Sequence, residues 1–369
     1  MTGQRIDSID IEGYLSIRSA HVELRDLNVL VGANGAGKSN FISAMELLGR
    51  IADEEMGLYV GMRGGAAELL YRGADREDRI VLGVSSRPGG YRAALVPSAR
   101  DELIFDRESV LEYDIPGSAQ PREWSFARGQ HETALPRSVP GGHVGELAAD
   151  LLSVLSGCRV FHFHNTGLGA PPKLRADAAD NLRLATDAGN LAPFLRSIRD
   201  HWPAHYERIR ATIQDVAPFF RDFVLEEEFG RLLLRWQQVN VDRYFSADAL
   251  SDGTLRFICL STLLLQPEPP RLIVLDEPEL GLHPYAIVVL AGLLRSVSRR
   301  SQVLVATQSV TLMNQFEVED LIVVDRVDGA STLIRHSAER FAGWLQDYSL
   351  GELWEKNLLG GRPAWEPAG

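Results

Sequence analysis

The sequence predicts an α/β chain organised on a buried parallel sheet, and three stretches carry that expectation. Arg271–Pro284 reads RLIVLDEPELGLHP, an apolar run that ends in two adjacent acids and a proline. Leu27–Val31 runs into Gly32-Ala-Asn-Gly-Ala-Gly-Lys-Ser39, a loop of the form G-x-x-x-x-G-K-S. Val303–Ser309 adds a third run, VLVATQS. Continuous apolar runs of this length read as strands buried on both faces, as under the helices of a parallel sheet. The side chains at their carboxyl ends then emerge where open α/β sheets bind ligands.

Composition bounds the classes that remain. The 369 residues are 45% hydrophobic and 24% charged, enough for one large domain or two smaller ones with a sizeable core. A formal net charge of −12 gives no general pull toward nucleic acid or an anionic membrane. No apolar run approaches the ~20 residues that span a bilayer, so no membrane partner is expected. Phe257–Leu265 and Ala286–Leu294 read as core helices. The amino terminus, MTGQRIDSID, lacks the apolar segment of a secretory signal. Cys158 and Cys259 sit in apolar surroundings without metal-type spacing. They are expected to be buried reduced thiols, in keeping with a cytoplasmic protein. No repeat, heptad run or low-complexity tract stands out.

Taken in order, residues 5–31 read as paired strands: Ile6, Ile9 and Ile11, then Leu15 and Ile17, then Val22 and Leu24, and finally Leu27–Val31. The glycine-rich loop follows the last of these and opens a helical pattern at Phe41, Ile42, Met45, Leu47 and Leu48. Backbone N–H groups of such a loop close around phosphate oxygens, and the helix amino end adds its positive pole. In this motif Lys38 reaches the β- and γ-phosphates and Ser39 ligates Mg²⁺. Residues 57–116 alternate in strand fashion over Arg79–Val84, Tyr91–Val96, Glu102–Phe105 and Ser109–Tyr113, as an antiparallel layer beside the loop. Residues 117–145 are rich in Gly, Pro, Ser and Arg and predict an irregular surface excursion.

A helix over Gly145–Leu155 leads to a strand over Arg159–His164. Period 2 puts His162 and His164 on one face and Phe161 and Phe163 on the other. The pair reads either as part of a metal site or as a polar strand end near the nucleotide; no third ligand sits at a useful spacing. Residues 165–221 predict a mostly helical insert, with helices over Ala185–Leu195 and Pro203–Val216. Arg196, Arg199, Arg208 and Arg210 make it the one mildly basic region, either a solvated helix face or a nucleic-acid patch. Phe219–Glu226 and Arg231–Val239 form a hairpin around Phe229-Gly230. Beyond the third run, the pattern gives a strand at Asp320–Val324, a short helix, then Leu350–Leu359 and a Gly/Pro-rich end.

Asp276 and Glu277 close the strand of the first stretch. Two acids there are either a solvated helix cap or a reactive pair that faces something cationic. Their context favours the second. Leu250-Ser-Asp-Gly-Thr-Leu-Arg256 precedes them and resembles the signature sequence of ABC-type ATPases, usually written LSGGQ. Asp276-Glu277-Pro278 then stands where that family has its Walker B motif. Glu279-Leu-Gly-Leu-His-Pro284 resembles the D-loop, and ATQS ends at the position of the switch residue. The order is complete, and the resemblance covers roughly residues 3–48 and 245–326. The opening strand pair before VGANGAGKSN looks like the RecF, SMC and OLD-like branch. ATQS and GELWEKN look like a bacterial group of stand-alone predicted ATPases in that branch.

The resemblance implies a P-loop NTPase fold of ABC-ATPase type, with a mixed sheet, an antiparallel β subdomain and a helical lobe that carries the signature. One domain in two lobes would then divide into 1–116, 117–249 and 250–369. It also implies ATP and Mg²⁺ as ligands, contacted by Gly32, Asn34, Gly35, Ala36, Gly37, Lys38, Ser39 and Asn40. Asp276 would hold the metal through water, and Glu277 would orient and deprotonate the attacking water. Ser251, Asp252 and Gly253 would act in trans in a homodimer that ATP induces. Two positions depart from the family. Gln308 replaces the usual switch histidine with an amide that cannot take up a proton, and no glutamine fits the Q-loop, for which Asn165 is the substitute. The absence of heptads excludes a long-armed SMC-type protein, and too little sequence follows the switch strand for an OLD-type nuclease. The expected roles are an ATPase that gates a DNA-related process, or an ATP-switched scaffold for a separately encoded effector.

Overall fold

Period-2 alternation within the buried runs decides how the chain is layered. The computed structural model describes residues 5–71, 79–113, 115, 118, 120–126, 128–138 and 142–361. Its central six-stranded sheet has the order Ala330–Arg335, Leu321–Val327, Leu27–Val31, Gln302–Thr307, Leu272–Asp276, Val160–Phe161. All neighbours are parallel except the edge strand Ala330–Arg335, which turns back on Leu321–Val327. Odd and even residues of these strands enter two different cores. Val29, Ile273, Leu275, Val303 and Val305 face one. Leu30, Leu272, Val274, Leu304 and Ala306 face the other. That is why the runs are apolar throughout.

The first core lies under a helical layer, with Leu191–His201, Pro203–Val216, Asp252–Leu265 and Pro284–Ser298 contributing Leu195, Ile209, Leu260 and Leu290. The second lies between the central sheet and an antiparallel one, and the helix Lys38–Ala52 runs through it with Phe41, Met45 and Leu48 buried. The antiparallel sheet is also six-stranded, in the order Ile17–Glu23, Ser8–Tyr14, Ile80–Ser86, Gly89–Pro97, Leu103–Glu112, Arg122–Phe126. Cys158 and Cys259 are free and buried, and burial pushes both thiols up to about 12. Among the described residues no helix is long and apolar enough to cross a membrane.

Several elements differ from the sequence reading, each for a local reason. Glu102–Phe105 and Ser109–Tyr113 are one strand, Leu103–Glu112. A register shift, from Ala94 opposite Arg107 to Leu95 opposite Phe105, absorbs Asp106 as a bulge. Residues 57–62 are helical within Met56–Met62, which is too short for its buried Met56, Tyr59 and Val60 to show a period. Part of the 117–145 excursion is ordered as the edge strand Arg122–Phe126 and the turn of helix Leu135–Ser138. Other parts of it, and the chain beyond 361, lie outside the described residues. The helix expected over Ala185–Leu195 begins only at Leu191. Asn190 keeps the preceding loop out of the helix by accepting from Ala185 N (2.8 Å) and donating to Arg183 O (2.8 Å). The strand expected to reach His164 pairs only at Val160–Phe161. The arms on either side of Phe229-Gly230 pair antiparallel as expected, in one register from Glu228 opposite Arg231 to Asp222 opposite Gln237, although further strands divide them between two small sheets. Ala330–Arg335, unanticipated, pairs through an Asp328-Gly329 turn, a dipeptide that signals such hairpins.

Candidate nucleotide site

Five of the polar groups singled out in the sequence, Lys38, Ser39, Asp276, Glu277 and Gln308, meet at the carboxyl edge of the central sheet. Leu27–Val31 delivers the loop 32–37, and Lys38 begins the helix behind it. Its ammonium is buried and donates to Gly32 O (2.7 Å) and Ala33 O (3.0 Å), folding back under the loop. Burial lowers its pKa, and Glu277, Asp276 and Glu279 work in the opposite direction. Ser39, one residue on, donates to Asp276 Oδ2 at 3.0 Å, a contact across 237 residues of chain. The other oxygen of Asp276 is buried without a hydrogen-bond partner. Burial raises the Asp276 pKa, the Ser39 hydroxyl lowers it, and Glu277 raises it further.

The loop itself is clamped from outside. Gly37 has φ 116°, and a Cβ there would lie 2.0 Å from Ser331 Oγ, so only glycine fits. Ser331 is buried and donates to Ala36 O (2.6 Å); it also meets Ser16 Oγ at 2.6 Å. Asn40 turns its amide to Ser16 Oγ (2.6 Å), behind the loop. Ala33 N donates to Gly361 O (2.8 Å), so the chain's far end also grips the loop. Asn34 and Gly35 stay exposed at the loop tip. Ser16 and Ser331 escape sequence reasoning because nothing in their local sequence marks them.

Glu277 leaves the sheet in a left-handed conformation, φ 44°, with its N–H donating to Ala306 O (2.8 Å). A glutamate there is strained, and such strain persists only where its surroundings hold it. Gln308 does so, since its Nε2 donates to Glu277 Oε1. The amide at the switch position therefore supports the acid by hydrogen bonding. One residue before Gln308, Thr307 Oγ1 donates to Glu279 Oε1.

The signature residues lie apart. Ser251 caps Asp252–Leu265 by accepting from Thr254 N (3.2 Å), and Ser251 and Asp252 are exposed. A Cβ on Gly253 would lie 2.3 Å from Gly281 O, so the signature loop rests directly on the D-loop. Among the described residues no hydrogen bond joins Ser251, Asp252 or Gly253 to the loop 32–39. The same helix also reaches the histidine segment: buried Arg256 donates to Phe163 O (3.0 Å) and His164 O (3.1 Å). His162 and His164 are exposed, with ring centroids 6.4 Å apart, and lie near enough to Asp276 to favour its charge. Among the described residues no group of three or more His, Cys, Asp and Glu side chains could hold a metal. Asn165 is exposed and accepts from Gly167 N (3.4 Å) in a local turn. Of the arginines on the helical insert, Arg196 pairs with Glu227 and Asp200, Arg199 with Asp200, and Arg210 with Glu207.

A glycine-rich loop after one parallel strand, a DE pair at the end of a second and a glutamine after the strand between them are arranged as in an ABC-type P-loop ATPase fold. The chain belongs to the AAA_21 family, whose model, described as "AAA domain, putative AbiEii toxin, Type IV TA system", matches residues 27–314. Among solved structures it is similar to an SMC head bound to the C-terminal winged-helix domain of ScpA. The TM-score is 0.56 at 17% identity over 92% of this chain and 99% of that one. It is also similar to an SMC head with an extended coiled coil, bound to the C-terminal domain of ScpA, derived from Pyrococcus furiosus. There the TM-score is 0.53 at 14% identity, over 93% and 99% of the two chains. At these identities the likeness concerns the fold. None of the curated proteins compared with the chain matches it.

Proposed function

We propose that this protein binds ATP with Mg²⁺ at the loop 32–39, dimerises around two such nucleotides and hydrolyses them to gate a DNA-related process such as repair or defence. The observation that carries the reading is the convergence of Lys38, the Ser39–Asp276 pair and the Gln308–Glu277 pair on one sheet edge. The donor set suits a small divalent ion: the Ser39 hydroxyl and the Asp276 carboxylate, one oxygen of which is buried and unpartnered. Ser39 and Asp276 would hold it. When bound, the metal supplies charge to neutralise the phosphates. The chain's own residues do the rest. Backbone N–H groups of Gly35–Ser39 and the helix amino end receive phosphate oxygens, and Lys38 can exchange its two carbonyl partners for them. Glu277 orients the attacking water and takes its proton, while Gln308 fixes the direction of that carboxylate. Catalysis of this kind is positioning plus electrostatics. Ser251 and Asp252, presented outward, would close with Gly253 on the partner's nucleotide, which would make ATP a removable component of the dimer interface.

Lys38→Ala should abolish ATP binding by calorimetry, and light scattering across a concentration series should show ATP–Mg²⁺ converting monomer to dimer in Glu277→Gln. A protein that stays monomeric at saturating nucleotide speaks against the sandwich.

A second reading, an ATP-switched scaffold that controls a separately encoded effector, is favoured by the ion pairs that occupy Arg196, Arg199 and Arg210. The family description, with its toxin–antitoxin system, and the ScpA-bound SMC heads support it too. Retention on duplex DNA at low and moderate salt, with and without ATP, separates the two. Charge reversal of Arg196, Arg199, Arg208 and Arg210 should abolish any retention that runs through phosphates.

A further inference from the structure

Glu279 stands two residues after the Glu277 acid and has no part in the reading above. It is buried to 7% exposure, and burial raises its pKa. Thr307 Oγ1 donates to its Oε1, and the backbone of Gln308 works against burial by lowering the carboxyl pKa. Thr307 Oγ1 in turn accepts from Ser309 N at 2.9 Å. The acid thus fixes Thr307, whose hydroxyl in turn fixes Ser309, and Gln308 between them holds Glu277. On its other side the D-loop turn closes with Leu282 N donating to Glu279 O (3.0 Å), and Gly281 of that turn packs against Gly253 of the signature loop.

Its second oxygen, Oε2, is buried with no hydrogen-bond partner. A half-satisfied buried carboxylate is costly to fold around, and a purely structural contact to Thr307 would need less than an acid. That cost asks for a reason in the working of the site.

We infer that Glu279 is a positioning residue for hydrolysis: it locks the Thr307–Gln308 strand end to the D-loop, and through Gln308 it holds Glu277 on the water. The lock joins the signature loop to the general base through one carboxylate, Gly253 to Gly281 to Glu279 to Gln308 to Glu277. Movement of the D-loop then changes the aim of the base without touching the phosphate-binding loop. This inference rests on the ATPase reading.

The test is steady-state ATP hydrolysis by the full chain with Glu279→Ala, Glu279→Gln, Thr307→Val and the Glu279→Ala/Thr307→Val double variant. Glu279→Ala is expected to lower kcat about tenfold to a hundredfold, as for a lost hydrogen bond to a charged group, with KM for ATP within about twofold. Glu279→Gln keeps an acceptor for Thr307, needs no buried charge and should recover most of that loss. Thr307→Val should reproduce the loss in kcat, and the double variant should be no worse than the poorer single one. Parental kcat in Glu279→Ala overturns the inference while leaving the ATPase reading intact. So does a raised KM, a double variant in which the losses multiply, or a glutamine variant as poor as alanine. If the parent itself hydrolyses no ATP beyond a Lys38→Ala control, the ATPase reading fails first and the lock has nothing to position.

Discussion

The phosphate-binding loop and the signature loop are both glycine-centred turns at a helix amino end, yet the chain treats them oppositely. The first is gripped from every side by its own chain: by Lys38 beneath, Ser331 and Ser16 outside and Gly361 O at its start. The second uses its serine to cap its own helix, rests on the D-loop and leaves Ser251 and Asp252 exposed. A loop that must be rigid before ligand arrives is enclosed. On the proposed reading the second loop would meet its ligand only in the dimer, which is why it would be presented outward.

The largest effect should come from the acid that both halves serve. Glu277→Gln is expected to keep ATP binding and lower turnover by ~10²–10⁴, as for loss of a general base. Parental turnover in that variant would assign the base elsewhere. The contrast between the loops is tested directly by Lys38→Ala and Ser251→Arg. Both should be inactive alone, but only the first should lose ATP binding. Mixing them puts both lesions in one site of a head-to-tail dimer and leaves the other site whole, so some ATPase activity should return. Ser251→Arg that hydrolyses and dimerises normally would reduce the signature to a loop before a core helix.

Smaller effects refine the enclosed half. Ser331→Ala removes the clamp on Ala36 O, worth about 1 kcal/mol, and should weaken ATP binding by about fivefold while leaving kcat unchanged. An equal loss in Ser251→Ala would remove the distinction between the two loops. The smallest response is expected from the thiols. With Cys158 and Cys259 buried and pushed up to about 12, the native protein should resist a thiol reagent at neutral pH, with or without ATP, and react only on unfolding. Labelling of Cys259 that ATP accelerates would mean that the core beneath the Asp252–Leu265 helix opens.

Much of this site is legible in the chain because its chemistry is written in short, contiguous motifs. Strand, loop and helix at residues 27–52 follow from an apolar run, a glycine spacing and a helical period. That Asp276 meets Ser39 at the end of the glycine-rich loop is expected from the order of the motifs along the chain. Gln308 is found as the residue in the switch position, though the support it gives Glu277 is not.

What the sequence by itself determined is the set of buried parallel strands and the motifs at their ends, since backbone period and local spacing are properties of neighbouring residues. Tertiary structure alone decided which distant groups close the site. Ser331 clamps Gly37 from 294 residues away by chain number, and Arg256 ties the signature helix to the carbonyls of Phe163 and His164. Glu279 finds Thr307 only because parallel pairing sets the two strands side by side, Asp276 beside Ala306. The bulge at Asp106 and the loop before Leu191 were decided there too, by cross-strand register and by the side chain of Asn190. Hydrogen bonds of this kind depend on where strands stop relative to one another, and no local pattern of residues encodes that distance.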